Sequence, residues 1–281
     1  MFKLFRVLVA AAVVGSSFSI AQAAEPIKVL FLSKSSGFQH SSIKENSTGS
    51  NHVADTLAKM SESGDFVVTS TKDASMINAK TLNGFDVVIF YTTGDLTQTG
   101  TDQQKEMTGT GVAELLNWIT AGGGFMGYHC ATDTFHMSDG STSPYVNMIG
   151  GEFLTHGKQF KGKVNVIDKK HPTMKGFQDG WEILDEWYVF KNKNKEDMHV
   201  LATLDPGTQR DKQPKQYNIP DYPIIWCSTM GEGRVYYNGM GHREDVWNRE
   251  AFQASVWNAI NWASGNGKTK AEPNYADVVE D

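Results

Sequence analysis

The residues with the most chemistry to offer lie on one stretch, Gly122-Gly123-Gly124-Phe125-Met126-Gly127-Tyr128-His129-Cys130-Ala131-Thr132-Asp133. A glycine run ends a helical segment, a short apolar strand follows, and a tight turn then carries an imidazole, a thiol and a carboxylate. Turns of this kind present their apex residue at the open edge of an α/β sheet, where ligands bind. Here the apex position holds His129 in place of a Ser or Cys nucleophile. The dipole of a following helix would depress its pKa and favour the neutral ring. Neutral imidazole serves as a general base, as a donor to a carbonyl, or as a metal ligand. Cys130 beside it, at a helix N-terminus, would be an acidified nucleophile, so thiol hydrolysis through Cys130 is an alternative reading. Two adjacent residues cannot share the apex.

Other candidate groups follow the carboxyl ends of other strands. His40 lies past the first, Thr92, Thr93 and Asp95 past the third, and His242 and Glu244 past the last. In an open parallel sheet these ends share one edge. The glycines of Gly239-Met240-Gly241-His242-Arg243-Glu244 allow close approach of backbone to ligand, and Glu244 could fix the tautomer of His242. Asp185 and Glu186 sit in a strand-like run and face opposite sides, with Glu186 favoured for the cleft. His156 follows Gly150-Gly151-Glu152-Phe153 in a segment read as loop. His52, His136, His171 and His199 read as solvated or structural.

The resulting assignment is His129, His242, Glu186 and Asp133 as catalytic groups, with His40, His156, Thr93, Asp185 and Glu244 contacting substrate. The sequence establishes no cofactor. A divalent metal such as zinc would take its ligands from His129, His156, Glu186 and His242, although no short ligand spacing is present. Neither a Walker motif nor a dinucleotide fingerprint occurs, because Gly122–Gly124 precede a strand rather than follow one.

These groups need a scaffold. Ile27–Ser33, Phe66–Thr71, Phe85–Tyr91 and the strand before His129 alternate with helical patterns, the clearest being Val53/Leu57/Met60 and Val112–Thr120. That alternation predicts right-handed βαβ units and a parallel sheet. After the turn, residues 160–168, 183–190 and 198–204 read as strands with little helix between them. Residues 205–221 read as loop, and Pro223–Asn238 as a hairpin. Phe252–Trp262 reads as a closing amphipathic helix, and residues 264–281 as a mobile polar tail.

Lys3 and Arg6, the apolar run Val7–Val14 and Ala21-Gln22-Ala23 read as a signal peptide over residues 1–23. The run is too short for a stable membrane span, so a secreted, periplasmic protein is expected. The net charge of −6 and the lack of a basic cluster argue against nucleic-acid binding. An oxidising compartment permits a disulfide between Cys130 and Cys227; two buried thiols are the other possibility. The composition leaves a homo-oligomer open.

Several segments together resemble the trehalose-utilisation (ThuA-like) family. They are Gly37-Phe38-Gln39-His40-Ser41-Ser42-Ile43, the Gly122–Asp133 stretch, Gly151-Glu152-Phe153-Leu154-Thr155-His156, Asp185-Glu186-Trp187-Tyr188, and Gly233-Arg234-Val235-Tyr236-Tyr237 leading to Gly241-His242. The resemblance implies one domain over about residues 24–263. It also implies a flavodoxin-like three-layer α/β sandwich of the class I glutamine amidotransferase type, mainly parallel, with an added antiparallel portion in the C-terminal half. Those enzymes use a Cys-His-Glu triad. On this chain their thiol position falls on His129, and their His-x-Glu on His242 and Glu244, so amide hydrolysis is not expected. A proline usual after the His156-type histidine is Gly157 here. The resemblance implies an enzyme of carbohydrate catabolism acting on a disaccharide or keto-sugar by histidine acid/base or metal-assisted chemistry. A non-catalytic sugar-binding module is the remaining alternative.

Overall fold

A computed structural model describes residues 25–266 and 271–280. The segment 1–23, expected to be a leader, lies outside the described residues. Strands β1 (Ile27–Leu32) and β2 (Phe66–Thr71) pair in parallel, with Ile27 opposite Phe66. Strands β3 (Val87–Phe90) and β4 (Gly124–Tyr128) continue the parallel sheet. Both are buried along their whole length, as strands covered on two faces must be. The connections carry α1 (His52–Ser61), the short α2 (Ala79–Leu82) and α3 (Gly111–Thr120). Asn51 caps α1 by accepting from the Ala54 N–H, and α1 lays Val53, Ala54 and Leu57 on the core.

The chain then passes α4 (Pro144–Ile149) and the strands β5 (Glu152–His156), β6 (Phe160–Val166), β7 (Trp181–Asp185), β8 (Tyr188–Lys191) and β9 (His199–Asp205). Two short helices, α5 (Gln209–Lys212) and α6 (Pro214–Tyr217), interrupt the segment expected to be loop. The hairpin β10 (Tyr222–Met230) and β11 (Gly233–Asn238) leads through α7 (Glu244–Trp247) to α8 (Glu250–Ala263) and α9 (Tyr275–Val278). The main sheet has the order β2-β1-β3-β4-β11-β10-β9-β6-β7. It is parallel from β2 to β11 and antiparallel beyond, with helices packed around it, which is the expected mixed α/β sandwich. Helix α8 lies so close to β4 that a Cβ at Gly124 would collide with the Ala263 carbonyl.

Three local expectations differ from the structure. The strand-like run 183–190 is two strands in different sheets: β7 closes the main sheet, while β8 pairs with β5 in a separate ribbon. The Asp185 carboxylate takes the Glu186 N–H, removing it from any ladder and turning the chain. The segment containing His156 is therefore strand, not loop, because β8 supplies its partner. Residues 271–280, expected to be mobile, dock on β9. Asn274 bonds both backbone groups of Val200 (2.6 and 3.2 Å), and Tyr275 is buried.

The end of β1 is anchored by a buried ion pair. Lys34 Nζ lies 3.3 Å from Asp102 Oδ1 and donates to the carbonyls of Thr99 and Gln104 (2.7 and 2.8 Å). Asp102 also accepts from the Ser35 N–H at 2.6 Å. Both charged side chains are almost wholly out of solvent, where an unpaired charge is costly. Removing the carboxylate by Asp102→Ala should destabilise the protein by about 3–5 kcal/mol in urea unfolding. A loss below about 1 kcal/mol would mean that Lys34 finds water instead.

Candidate active site

Four segments distant in sequence meet beyond the carboxyl ends of the parallel strands. The first comes from β1. Ser36 and Gly37 donate to the Thr93 carbonyl (2.8 and 3.2 Å), and the Thr93 hydroxyl donates to the Phe38 carbonyl at 2.8 Å. Thr93 is thus bound to main chain rather than presented to substrate, correcting its expected role: it shapes the loop that delivers His40. His40 is buried, and its Nδ1 has no hydrogen-bond partner.

The second segment is the turn after β4. His129 adopts a left-handed conformation, φ +42°, and its carbonyl accepts from the Tyr237 hydroxyl at 2.6 Å. Such a conformation costs a non-glycine residue about 1–3 kcal/mol and persists only where the surroundings enforce it. The turn leads into a 3₁₀ segment, His129–Asp133, not an α-helix. His129 is fully buried and points inward to the cluster, so solvent presentation over a helix dipole is corrected. Burial, opposed by Glu186, pushes its ring down to about 4. Its Nδ1 faces the Gly239 carbonyl at 3.2 Å and can donate there, leaving Nε2 free to accept.

The third segment is the break between β7 and β8. Glu186 Oε2 lies 3.1 Å from His242 Nδ1 and 3.6 Å from His129 Nε2, while Oε1 lies 3.2 Å from His156 Nδ1. Burial opposes its ionisation, but the facing rings of His129 and His242 outweigh this and hold the carboxyl well below the usual carboxylate range. Asp185 is fully buried against the Gly241 main chain. It accepts from the N–H groups of Gly241 (2.7 Å) and Glu186 (2.9 Å), and is a positioning residue rather than a substrate contact.

The fourth segment is Gly239–His242. The Gly241 carbonyl accepts from Tyr91 Oη (3.0 Å) and Trp247 Nε1 (2.9 Å), and Gly241 has a φ of +105° that few other residues adopt. His242 Nδ1 lies 3.2 Å from His129 Nε2. The carboxylate against His242 is Glu186. Glu244, expected in that place, is exposed, and its carbonyl accepts from His52.

His40, His129, Glu186 and His242 therefore converge, each with one ligating atom within 4.8 Å of the others. The metal candidates named from sequence included His156 in place of His40. His156 instead stands at the outer side of Glu186, with its side chain 41% exposed. Tyr188, opposite His156 in the ribbon, supplies a wall that sequence reasoning missed: its hydroxyl is 3.4 Å from His40 Nε2 and its ring centroid 4.3 Å from that of His129. A polar hollow of about 360 Å³, lined by Ser41, Gln159, His242, Arg243, Glu244 and Asp245, opens beside His242. Phe38 is 67% exposed, edge-on to His40 with ring centroids 5.0 Å apart.

Asp133, expected to be catalytic, is not in the cluster. It pairs with His136 (3.2 Å), whose other nitrogen faces Glu152 Oε1 at 3.2 Å. Burial pushes the Asp133 carboxyl up to about 6. His136, expected to be solvated or structural, is partly exposed and bridges these two carboxylates. Cys130 and Cys227 are free and buried, so no bridge joins them. Burial raises both thiols well above their ordinary value, and Cys130 is not an activated nucleophile.

The sequence profile of the trehalose-utilisation family, ThuA, matches residues 28–263. The chain belongs to that family. A ThuA-like protein of Bacteroides uniformis has a similar structure, with TM-score 0.67 and 20% identity over 90% of this chain and 98% of that one. A ThuA-like protein of Parabacteroides merdae gives TM-score 0.64 and 18% identity over 89% and 95%. A cytoplasmic protein of Salmonella typhimurium LT2 gives 0.56 and 14% over 84% and 99%. At these identities the likeness establishes the fold. No curated protein matches the chain. Among the described residues no helix is long and apolar enough to cross a membrane.

Two outcomes test this geometry. A thiol reagent such as DTNB should label neither cysteine of the native ThuA chain and both after unfolding; rapid native labelling of Cys130 would contradict its burial. The second concerns pH. His40, driven down to about 2 chiefly by burial, and His129 at about 4 stay neutral in the fold, whereas unfolded histidines take protons below about 6.5. The unfolded state then binds more protons, so stability falls as pH drops from about 6.5. At pH 5 each ring accounts for a loss on the order of 2 kcal/mol. In chelator-treated protein, urea unfolding at pH 7 and pH 5 should show a smaller loss for His40→Phe than for wild type. Equal losses would contradict the buried neutral ring.

Proposed function

We propose that this ThuA chain is an exported enzyme of carbohydrate catabolism, and that it transforms a disaccharide or keto-sugar at the His40–His129–Glu186–His242 cluster. The observation that carries the reading is the convergence of three imidazoles and a carboxylate beside a polar hollow, in a family whose name is trehalose utilisation. Sugar hydroxyls need polar partners, and the hollow offers Ser41, Gln159, Arg243, Glu244 and Asp245. Phe38 adds an exposed aromatic edge against which a pyranose ring can pack.

The chemistry suited to this set is polarisation of a sugar oxygen with movement of a neighbouring proton. In a keto-sugar the carbon next to the carbonyl carries an acidified hydrogen. A buried neutral imidazole removes such a proton efficiently once the oxygen is polarised. We assign the proton to the open ring nitrogens of His129 and His242, with Glu186 orienting both rings and stabilising the imidazolium that forms, and the oxygen to the donors of the hollow, Arg243 among them. His156, outside the buried group, meets the substrate at the rim. Export rests on the leader-like residues 1–23 and remains part of the proposal.

Turnover of trehalose and of its keto derivatives by the purified full chain tests this reading. His129→Ala should lower kcat/KM by about 10²–10⁴-fold, and Glu186→Gln by a comparable factor, with circular dichroism unchanged. Full turnover by His129→Ala, or tight sugar binding by wild type with no product, would overturn it.

A further inference from the structure

We infer that His40, His129, Glu186 and His242 are the ligand set of a divalent metal ion of the zinc type. The inference rests on the reading of these four as the reacting centre and names the cofactor that this centre would hold.

The distances carry the argument. Zinc binds imidazole nitrogen at about 2.0–2.1 Å and carboxylate oxygen at about 2.0–2.2 Å, so neighbouring ligand atoms of a tetrahedral site lie about 3.4 Å apart. His242 Nδ1, His129 Nε2 and Glu186 Oε2 form a triangle with edges of 3.2, 3.6 and 3.1 Å. Those are the dimensions of one face of such a site. The fourth residue, His40, approaches the other two rings with centroids 5.0 and 5.2 Å away, and all four ligating atoms fall within 4.8 Å of one another.

Hydrogen bonding alone accounts poorly for this arrangement. Three imidazoles around one carboxylate offer more lone pairs than protons when the rings are neutral, and a buried polar atom without a partner is costly. His40 Nδ1 is such an atom, in a ring almost wholly out of solvent. A cation would satisfy several of these lone pairs at once.

The surroundings are those of a ligand set held ready. Imidazole ligands commonly donate their second nitrogen to a carbonyl or carboxylate, which fixes the tautomer. His129 Nδ1 faces the Gly239 carbonyl at 3.2 Å, with Nε2 turned to the cluster. The N–H of Glu186 and that of Gly241, just before His242, are tied to one carboxylate, Asp185. Three neutral nitrogens and one oxygen suit zinc, cobalt or another borderline transition ion better than magnesium or calcium, which prefer oxygen. His156 is excluded from the set. Its Nδ1 is 3.2 Å from Glu186 Oε1 and 2.9 Å from the Gly157 carbonyl, so it braces the carboxylate from outside. When bound, the ion would supply Lewis-acid polarisation of the sugar oxygen.

The experiment uses the full chain purified without chelator, analysed for metals by mass spectrometry, then stripped and titrated with Co(II) alone while the visible absorption is read. One equivalent per chain is expected, with the visible bands of nitrogen-ligated Co(II) in a low-coordinate site, displaced by added Zn(II). His40→Ala, His129→Ala and His242→Ala should each weaken Co(II) binding by more than about tenfold, while His156→Ala, which removes a brace and no ligand, should weaken it less than any of the three. The wild-type spectrum itself needs no variant to fold. Wild-type protein that leaves Co(II) with the spectrum of the aqueous ion overturns the proposal, as does loss of binding in His156→Ala with retention in His40→Ala. Turnover of sugar by metal-free wild type would sink the metal and leave the enzyme reading standing; a stoichiometric metal without sugar turnover would do the reverse.

Discussion

The site depends on a buried carboxylate, Glu186, set among imidazoles that belong to other parts of the chain. Glu186 touches His129, His242 and His156, while His40 closes the group from the side of Tyr188. Carrying a carboxylate and these rings into a protein interior is unfavourable for each of them separately. It becomes tolerable when they meet, because the carboxylate's negative charge and the rings' polar edges satisfy one another. The four segments that supply them must therefore be fixed closely enough that none can withdraw.

That fixing is done mostly by main chain. Asp185 holds two N–H groups, that of Glu186 itself and that of Gly241 beside His242; Tyr91 and Trp247 hold the Gly241 carbonyl; Tyr237 holds the His129 carbonyl; Thr93 holds the loop before His40. None of these groups needs to meet a ligand. The β5–β8 ribbon performs the same task at a larger scale. It lies outside the main sheet, brings His156 opposite Tyr188, and forces the break in which Glu186 turns inward. In a ThuA chain of this kind, the sheet supplies the edge and the ribbon supplies the carboxylate.

Much of this was legible in the sequence. The parallel half of the sheet announced itself through short apolar runs alternating with helical stripes, and the hairpin through Met230-Gly231-Glu232-Gly233. That His40, His129 and His242 share one edge followed from their places after strand ends, and the inward turn of Glu186 from its place on the face opposite Asp185 in a strand-like run. What could not be read was pairing between distant segments. Glu244 looked like the partner of His242 because it is near in sequence, yet the chain turns and Glu186 takes that place from 56 residues away. The same limit explains Thr93 and Asp185: polar residues at an active edge are as useful to the backbone as to a ligand, and only the fold tells which they serve. His129 was expected to be neutral through a helix dipole. It is neutral through burial, a cause that depends on what packs over the turn.

The interaction between Glu186 and His242 can be measured without substrate. In chelator-treated protein, a double-mutant cycle of Glu186→Gln and His242→Ala, read by urea unfolding at pH 7, isolates their coupling from the effect of each change alone. The account predicts a coupling of about 1 kcal/mol or more, the two changes together costing less than their separate costs combined. Additivity within about 0.3–0.5 kcal/mol would mean that the two side chains do not share a site, and the cluster would lose its centre.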